Sequence, residues 1–319
     1  MTMFLYIILF LVSVYILVKS GAIAVKNLVA VARYLRISEY VLAFILMALA
    51  TSLPEFFVGI NSALSKASIL SLGNVIGSNI VNLSFVLGAV VIIAKGIRIE
   101  SKIAKRDTWL VFFISILPVL LLIDKDLSRA DGVILLIAFI WYFRRILKDK
   151  EAFKKRMNHV ARTVEEFWRF IKDLIVFILA IVILLGSSWA VVKTAELIAQ
   201  GLNLTLALIG LILVAVGTSL PELVFGIKSV ITKHEGMNLG NLIGSTVINS
   251  TLILGITALV FPIKIEDFNL ILTSGLFMIL TILIVNFFIA TKDKISLREG
   301  MILIGLYVLF LIIEFMVRS

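Results

Sequence analysis

The chain has no cysteine, only two histidines and four prolines, and just 16% charged residues across its 319 positions. Without thiols there is neither a disulfide nor a thiolate metal site, and nothing that reports a redox compartment. His159 and His234 stand among charged residues in expected loops, so imidazole ligation inside the apolar segments is excluded as well. Metal chemistry in those segments must use carboxylate, hydroxyl, amide and carbonyl oxygens, a donor set for hard cations such as Na⁺, Ca²⁺ or Mg²⁺. What is present instead is apolar: 61% of residues are hydrophobic and the mean hydropathy is +1.14. Soluble domains reach about 45–50% apolar residues. The composition is that of a polytopic helical membrane protein.

Apolar runs between charged breaks predict ten membrane helices, at 2–32, 38–64, 70–95, 107–123, 130–147, 172–200, 205–230, 237–262, 267–290 and 298–317. The run from Met3 to Val18 has no basic leader and no small-residue cleavage site, so it reads as the first membrane helix and not as a removed signal peptide. Most basic residues fall in alternate loops, among them Arg33, Lys95, Arg98, Lys105, Lys228, Lys292 and Arg298, with a cluster from Arg144 to Lys172. The opposite side holds only Lys66, Lys125, Arg129, Lys264 and Arg318. The positive-inside rule places the first set in the cytoplasm and both termini outside. The net charge of +10 is therefore a topology signal and does not point to nucleic acid.

The sequence repeats itself. Ala48-Leu-Ala-Thr-Ser-Leu-Pro-Glu55 matches Ala215-Val-Gly-Thr-Ser-Leu-Pro-Glu222 at an offset of 167 positions, and Asn82/Asn249, Lys26/Lys193 and Ser38/Thr205 share that offset. Asp131-Gly132 matches Glu299-Gly300 with one residue inserted. Residues 1–147 and 172–319 thus form two five-span repeats, joined by a basic, aromatic linker over 148–171 that reads as a cytoplasmic segment lying on anionic headgroups. Because five is odd, the second repeat enters the membrane from the opposite side. That is an inverted-topology duplication, an architecture of alternating-access transporters.

Pro54 and Pro221 sit inside apolar runs and are two of the chain's four prolines. Each lacks an N–H and clashes with the carbonyl four residues earlier, so each predicts a kink that frees carbonyls near Thr51 and Thr218. Thr51, Ser52 and Glu55 cluster beside the first break, and Thr218, Ser219 and Glu222 beside the second. In the following spans Asn74, Ser78 and Asn82 lie four apart on one helix face, and Asn241, Ser245 and Asn249 form the matching stripe. Gly73, Gly77, Gly240 and Gly244 give small-xxx-small spacing for close helix packing.

Brought together, these elements make an all-oxygen cage with two carboxylates, suited to one Ca²⁺ or a few Na⁺. Asparagine and serine in membrane helices also serve as interhelical hydrogen-bond partners, and for Asn74 and Asn241 that role stands beside one of supporting the ligands from behind. Paired ionisable residues near the bilayer centre, each behind a proline kink, mark an ion pathway. Lys26 and Lys193 fall toward span ends and snorkel to the interface.

At these residues the chain resembles the sodium/calcium exchanger family of the calcium:cation antiporter superfamily, in its prokaryotic and archaeal form. The two (G/A)TSLPE and two GNxIGSxxxN blocks are similar to that family's duplicated motifs, in order, and the resemblance covers essentially the whole chain. It implies a non-enzymatic, multi-pass cell-membrane antiporter, functional as a monomer, that needs no cofactor and takes Ca²⁺ and Na⁺ as substrates. It also implies that Glu55 and Glu222 bind both ions and that the Thr51 and Thr218 carbonyls complete the Ca²⁺ shell. Ala48, Ser52, Ala215, Ser219, Ser78 and Ser245 would supply flanking Na⁺ ligands, with Asn82 and Asn249 lining the middle. Spans 1 and 6 would slide as a gate. Ala50 replaces a usual glycine, and Asn249 stands where many relatives, notably the potassium-dependent branch, carry aspartate. The second departure favours potassium independence.

With two negative charges in the cage, one Ca²⁺ or two Na⁺ neutralise it; the resemblance implies three Na⁺, hence electrogenic exchange. H⁺/Ca²⁺ exchange, with the glutamates titrating, is the alternative, although a proton needs no hydroxyl-rich cage. A cation channel would call for a continuous pore, usually in a symmetric oligomer. An intramembrane diacid hydrolase would need a substrate groove, for which no motif exists.

Overall fold

The computed structural model describes residues 2–34, 47–99, 102–147, 164–231 and 235–316. Ser38, His159, His234, the first part of the second expected span and most of the expected linker lie outside them. The helices are α1 (Thr2–Tyr34), α2 (Met47–Thr51), α3 (Leu53–Leu64), α4 (Ser68–Val81), α5 (Leu87–Ile93), α6 (Lys102–Leu121), α7 (Arg129–Leu147), α8 (Val164–Leu202), α9 (Leu206–Ile209), α10 (Ala215–Thr218), α11 (Leu220–Ile231), α12 (Glu235–Ile248), α13 (Leu254–Val260), α14 (Phe268–Thr291) and α15 (Leu297–Met316).

Seven continuous helical stretches among the described residues are long and apolar enough to cross a bilayer: 3–31, 68–93, 165–202, 206–231, 238–260, 268–291 and 297–316. The other expected spans are helical but shorter or more charged. The second is described only over α2 and α3; the fourth has a short apolar stretch, Thr108–Asp124; and the fifth, α7, carries Arg129, Asp131, Arg144 and Arg145 at its ends. One boundary differs from the sequence reading. The expected linker end at 171 is already helical, since α8 starts at Val164 and runs for 39 residues. At 1.5 Å per residue α8 is roughly 58 Å long, well beyond a hydrocarbon core of about 30 Å. The basic segment's last residues extend that helix because nothing between Val164 and Lys172 breaks it: there is no proline or glycine there.

α1 and α8 lie along one another and share their own apolar seam. Phe10, Val14, Leu17 and Ala24 meet Ala180, Leu184, Val191 and Ala195, spaced three, four or seven apart as one helix stripe requires. Phe57, Val58 and Leu70 join this seam to the remaining helices, which share a second, larger core. A polar latch reinforces the junction: Asn61 of α3 donates to Ser188 Oγ of α8 at 2.6 Å.

The two halves are interleaved. Four short strands, β1 (Ile97–Arg98), β2 (Asp126–Leu127), β3 (Ile263–Lys264) and β4 (Lys294–Ile295), pair antiparallel as β1 with β4 and β2 with β3, each pair taking one strand from each half. Glycines bring the backbones close across the same divide. A Cβ on Gly88 would stand 2.8 Å from the Gly300 carbonyl oxygen, and one on Gly132 equally 2.8 Å from that of Gly255. Gly73 and Gly77 behave as their spacing predicted. A side chain on either would run into the backbone carbonyl of Ala207 or of Leu211, so α4 packs directly on α9 and the segment after it.

Candidate ion-binding site

Each Thr-Ser-Leu-Pro-Glu block folds as two helices joined by a single serine. α2 gives way to α3 at Ser52 (φ −82°, ψ 5°), and α10 gives way to α11 at Ser219 (φ −81°, ψ −1°). The prolines fall in the first turn of α3 and α11, where a missing N–H is tolerated. The Ala50 and Gly217 carbonyls have no N–H to receive at Pro54 and Pro221. Glu55 and Glu222 follow immediately, both 0% exposed.

The stripes on α4 and α12 face these breaks, crosswise. Thr51 Oγ1 donates to Asn241 Oδ1 at 3.2 Å and lies 3.3 Å from Ser245 Oγ. Thr218 Oγ1 donates to Asn74 Oδ1 at 3.1 Å and lies 3.3 Å from Ser78 Oγ. Glu55 sits beside Thr218 and Ser78, Glu222 beside Thr51 and Ser245, and the two carboxylates are near enough to interact electrostatically. The four motif blocks thus converge on one buried place. The oxygens of Asn74 and Asn241 are occupied as acceptors for threonine hydroxyls. The Ala48 and Ala215 carbonyls accept the Ser52 and Ser219 amides at 3.2 and 3.0 Å, and the Thr51 and Thr218 hydroxyls approach them at 3.5 and 3.3 Å.

The polar atoms this arrangement leaves over are its most telling property. Buried side-chain oxygens and nitrogens nearly always find a partner. Here both carboxylate oxygens of Glu55 and of Glu222, the hydroxyls of Ser52 and Ser219, both polar atoms of Asn82 and Asn249 Oδ1 have no hydrogen-bond partner among the described residues. Apart from the amide nitrogens of Asn74 and Asn241, the remaining such atoms are on Ser115, Asp126 and Asn238. Among the described residues, most of the unmet side-chain oxygen therefore belongs to the four motif blocks. No cluster of three or more His, Cys, Asp or Glu occurs among the described residues, so a cation there would be held by two carboxylates and neutral oxygens.

Two kinds of feature escaped the sequence reading. Asn82–Val86, Asn249–Ile253 and Gly210–Val214 are π-helical turns. Such turns insert one residue into a helix and recur at functional sites; two of them begin at the cage asparagines. Asn79 enters the site's surroundings, donating to Ser250 Oγ at 2.9 Å. The signal available for it was a mismatch, Asn79 opposite Thr246, within blocks whose other polar positions and glycines match. Lys193 pairs with Glu196 at 2.8 Å, its side chain 44% exposed.

Two buried carboxylates facing oxygen-bearing side chains inside a multi-pass helical membrane protein are of the kind that marks an ion pathway. Residues 5–147 and 172–316 match the sodium/calcium exchanger protein family, and the chain belongs to it. It is 28% identical over 341 residues to the sodium/calcium exchanger MaX1 of Methanosarcina acetivorans, covering 96% of this chain and 97% of that one. It is 29% identical over 259 residues to the putative antiporter CaxA of Alkalimonas amylolytica, covering 79% and 80%. Among solved structures it is similar to the sodium-calcium exchanger NCX_Mj soaked with Na⁺ and Sr²⁺, with a TM-score of 0.67 and 28% identity over 96% of this chain and 98% of that one. The protein is thus a membrane antiporter of the sodium/calcium exchanger family.

Proposed function

We propose that this protein exchanges Ca²⁺ for Na⁺ across the cell membrane by alternating access at the single cage built around Glu55 and Glu222. The observation that carries this reading is the set of unpartnered buried oxygens gathered there. Two bidentate carboxylates and the Thr51 and Thr218 carbonyls offer six oxygens, the lower end of the six to eight that Ca²⁺ takes. Ser52, Ser219, Ser78, Ser245, Ala48 and Ala215 flank this centre and suit Na⁺, which binds neutral oxygens without needing further charge. Asn82 and Asn249 line the middle.

Ten spans in two inverted repeats, 1–147 and 172–319, with both termini outside, would let the same cage face either side. The apolar seam that α1 and α8 share, joined to the other helices at Phe57, Val58 and Leu70, suits their movement as a pair. An empty cage would carry two uncompensated charges through a closed, low-dielectric state, and that barrier enforces exchange in place of leak. Three Na⁺ against one Ca²⁺ moves one net charge per cycle, and Asn249 in place of a third carboxylate accords with independence from K⁺. The monomer contains every element the cycle uses.

The test is ⁴⁵Ca²⁺ uptake into proteoliposomes with Na⁺, K⁺ and pH gradients imposed one at a time, for the parent protein and for Glu55→Gln and Glu222→Gln. Uptake driven by an outward Na⁺ gradient, and lost in both variants, is the expected result. Uptake driven by pH without Na⁺ would select proton exchange, and parent-like exchange in both variants would sink the site assignment.

A further inference from the structure

We infer that Asn79 is a positioning residue that presents the side-chain oxygen of Asn249, and not its nitrogen, to the bound cation, so that the two halves of the cage are inequivalent. This rests on the ion-binding reading of the cage and deepens it.

The two ends of an asparagine amide have opposite uses at a cation. The oxygen is a ligand; the NH₂ group is a donor and repels positive charge. An uncommitted amide can turn either end inward. Asn249 is committed: its Nδ2 donates to Asn79 Oδ1 at 3.2 Å. Asn79 is committed in turn, because its own Nδ2 donates to Ser250 Oγ at 2.9 Å and faces Met278 Sδ at 3.5 Å. The serine hydroxyl could serve either end of the Asn79 amide. The thioether cannot, since sulfur there only accepts. Met278 therefore sets the direction of the chain, which runs from Asn249 through Asn79 to Ser250. Asn79, Asn249 and Ser250 are each 0% exposed and Met278 1%, so bulk water does not compete for these groups. The end of Asn249 left over is Oδ1, which has no partner among the described residues.

The other half of the cage has no such device. The counterpart of Asn79 at the repeat offset is Thr246, and its hydroxyl donates to the Leu242 carbonyl of its own helix at 2.8 Å. Accordingly both polar atoms of Asn82 have no partner among the described residues. Asn82 takes its orientation from the ion, whereas Asn249 is oriented before the ion arrives. Orientation fixed in advance reduces the ordering cost of binding.

The test is equilibrium ⁴⁵Ca²⁺ binding to the purified full chain in detergent, with the thermal melting midpoint measured alongside. Asn79→Leu, nearly isosteric, and Asn79→Ala are expected to raise the Kd for Ca²⁺ roughly two- to ten-fold, the range of one net hydrogen bond, at a parent-like melting midpoint. Thr246→Val leaves Kd unchanged. In an Asn249→Ala background, Asn79→Leu adds no further rise, because no amide remains to be oriented. A parent-like Kd in Asn79→Leu overturns the inference. So does the same fold-rise in the Asn249→Ala background, an equal rise in Thr246→Val, or a rise that comes only with a lowered melting midpoint. Absence of Ca²⁺ binding by the parent protein would overturn the cage reading as well, while Ca²⁺ binding without Na⁺-driven uptake would remove only the Na⁺ coupling.

Discussion

At the scale of single residues, two threonines have a double task. The backbone of Thr51 sits at the helix break, where a carbonyl can reach an ion, while its hydroxyl crosses to Asn241 on α12. Thr218 does the same toward Asn74 on α4. Replacing either by valine keeps shape and volume but removes a hydrogen bond to a buried asparagine oxygen: Asn241 Oδ1 is left without a partner among the described residues, a loss of about 1–3 kcal/mol, and Asn74 Oδ1 keeps only Ser78 Oγ at 3.4 Å, a smaller loss. Thr51→Val and Thr218→Val are thus expected to lower the melting midpoint in detergent and to weaken Ca²⁺ binding. Thr51→Ser and Thr218→Ser retain the hydroxyl and are expected to stay near the parent in both measurements; serine variants as impaired as the valine ones would show that the methyl group matters and the hydrogen bond does not.

Among the elements, helix contact is decided by which glycines meet backbone. Gly77 of α4 lies directly against the Leu211 carbonyl, and the Cβ of Ala215 is 2.6 Å from where its own Cβ would be. Gly77→Ala therefore forces α4 away from the π-turn at Gly210–Val214 and displaces Ser78, its neighbour in the cage. Overpacking of this kind costs about 1–3 kcal/mol, and here the clash is with backbone, which cannot swing aside. A lowered melting midpoint with loss of Ca²⁺ uptake is expected. Gly186 of α8 is the contrast, since a Cβ there meets nothing within 4 Å. Gly186→Ala is expected to melt at or above the parent's midpoint, in line with the helix preference of alanine.

Across the whole molecule, strand pairs and glycine contacts tie each half to the other, so the carboxylates, one from each half, are held in a common frame. If three Na⁺ leave the vesicle lumen as one Ca²⁺ enters, one positive charge leaves with each cycle. A lumen-positive potential then favours uptake by about 2.3 kcal/mol per 100 mV. Imposing that potential with valinomycin and an inward K⁺ gradient is expected to accelerate Na⁺-driven ⁴⁵Ca²⁺ uptake, whereas the same K⁺ gradient without ionophore changes nothing. Insensitivity to the potential would point to an electroneutral cycle of two Na⁺.

Local chemistry determined much of this protein from the sequence alone. Long apolar runs must be helices, because backbone groups in lipid have to be satisfied within their own segment. A proline behind Ala50 or Gly217 must break the helix there. The duplicated glutamates and the asparagine–serine stripes could be read as one cage because their spacing puts each set on a single face. What the tertiary structure decided is everything that depends on one segment meeting another. It showed that Thr51 reaches Asn241 while Thr218 reaches Asn74, that π-turns begin at Asn82 and Asn249, and that α8 extends back to Val164. Above all it separated Asn79 from Thr246. Both are small polar residues at matching positions, but one bonds across to the other half and the other folds back on its own helix, and periodicity carries no information about which partner a side chain will find.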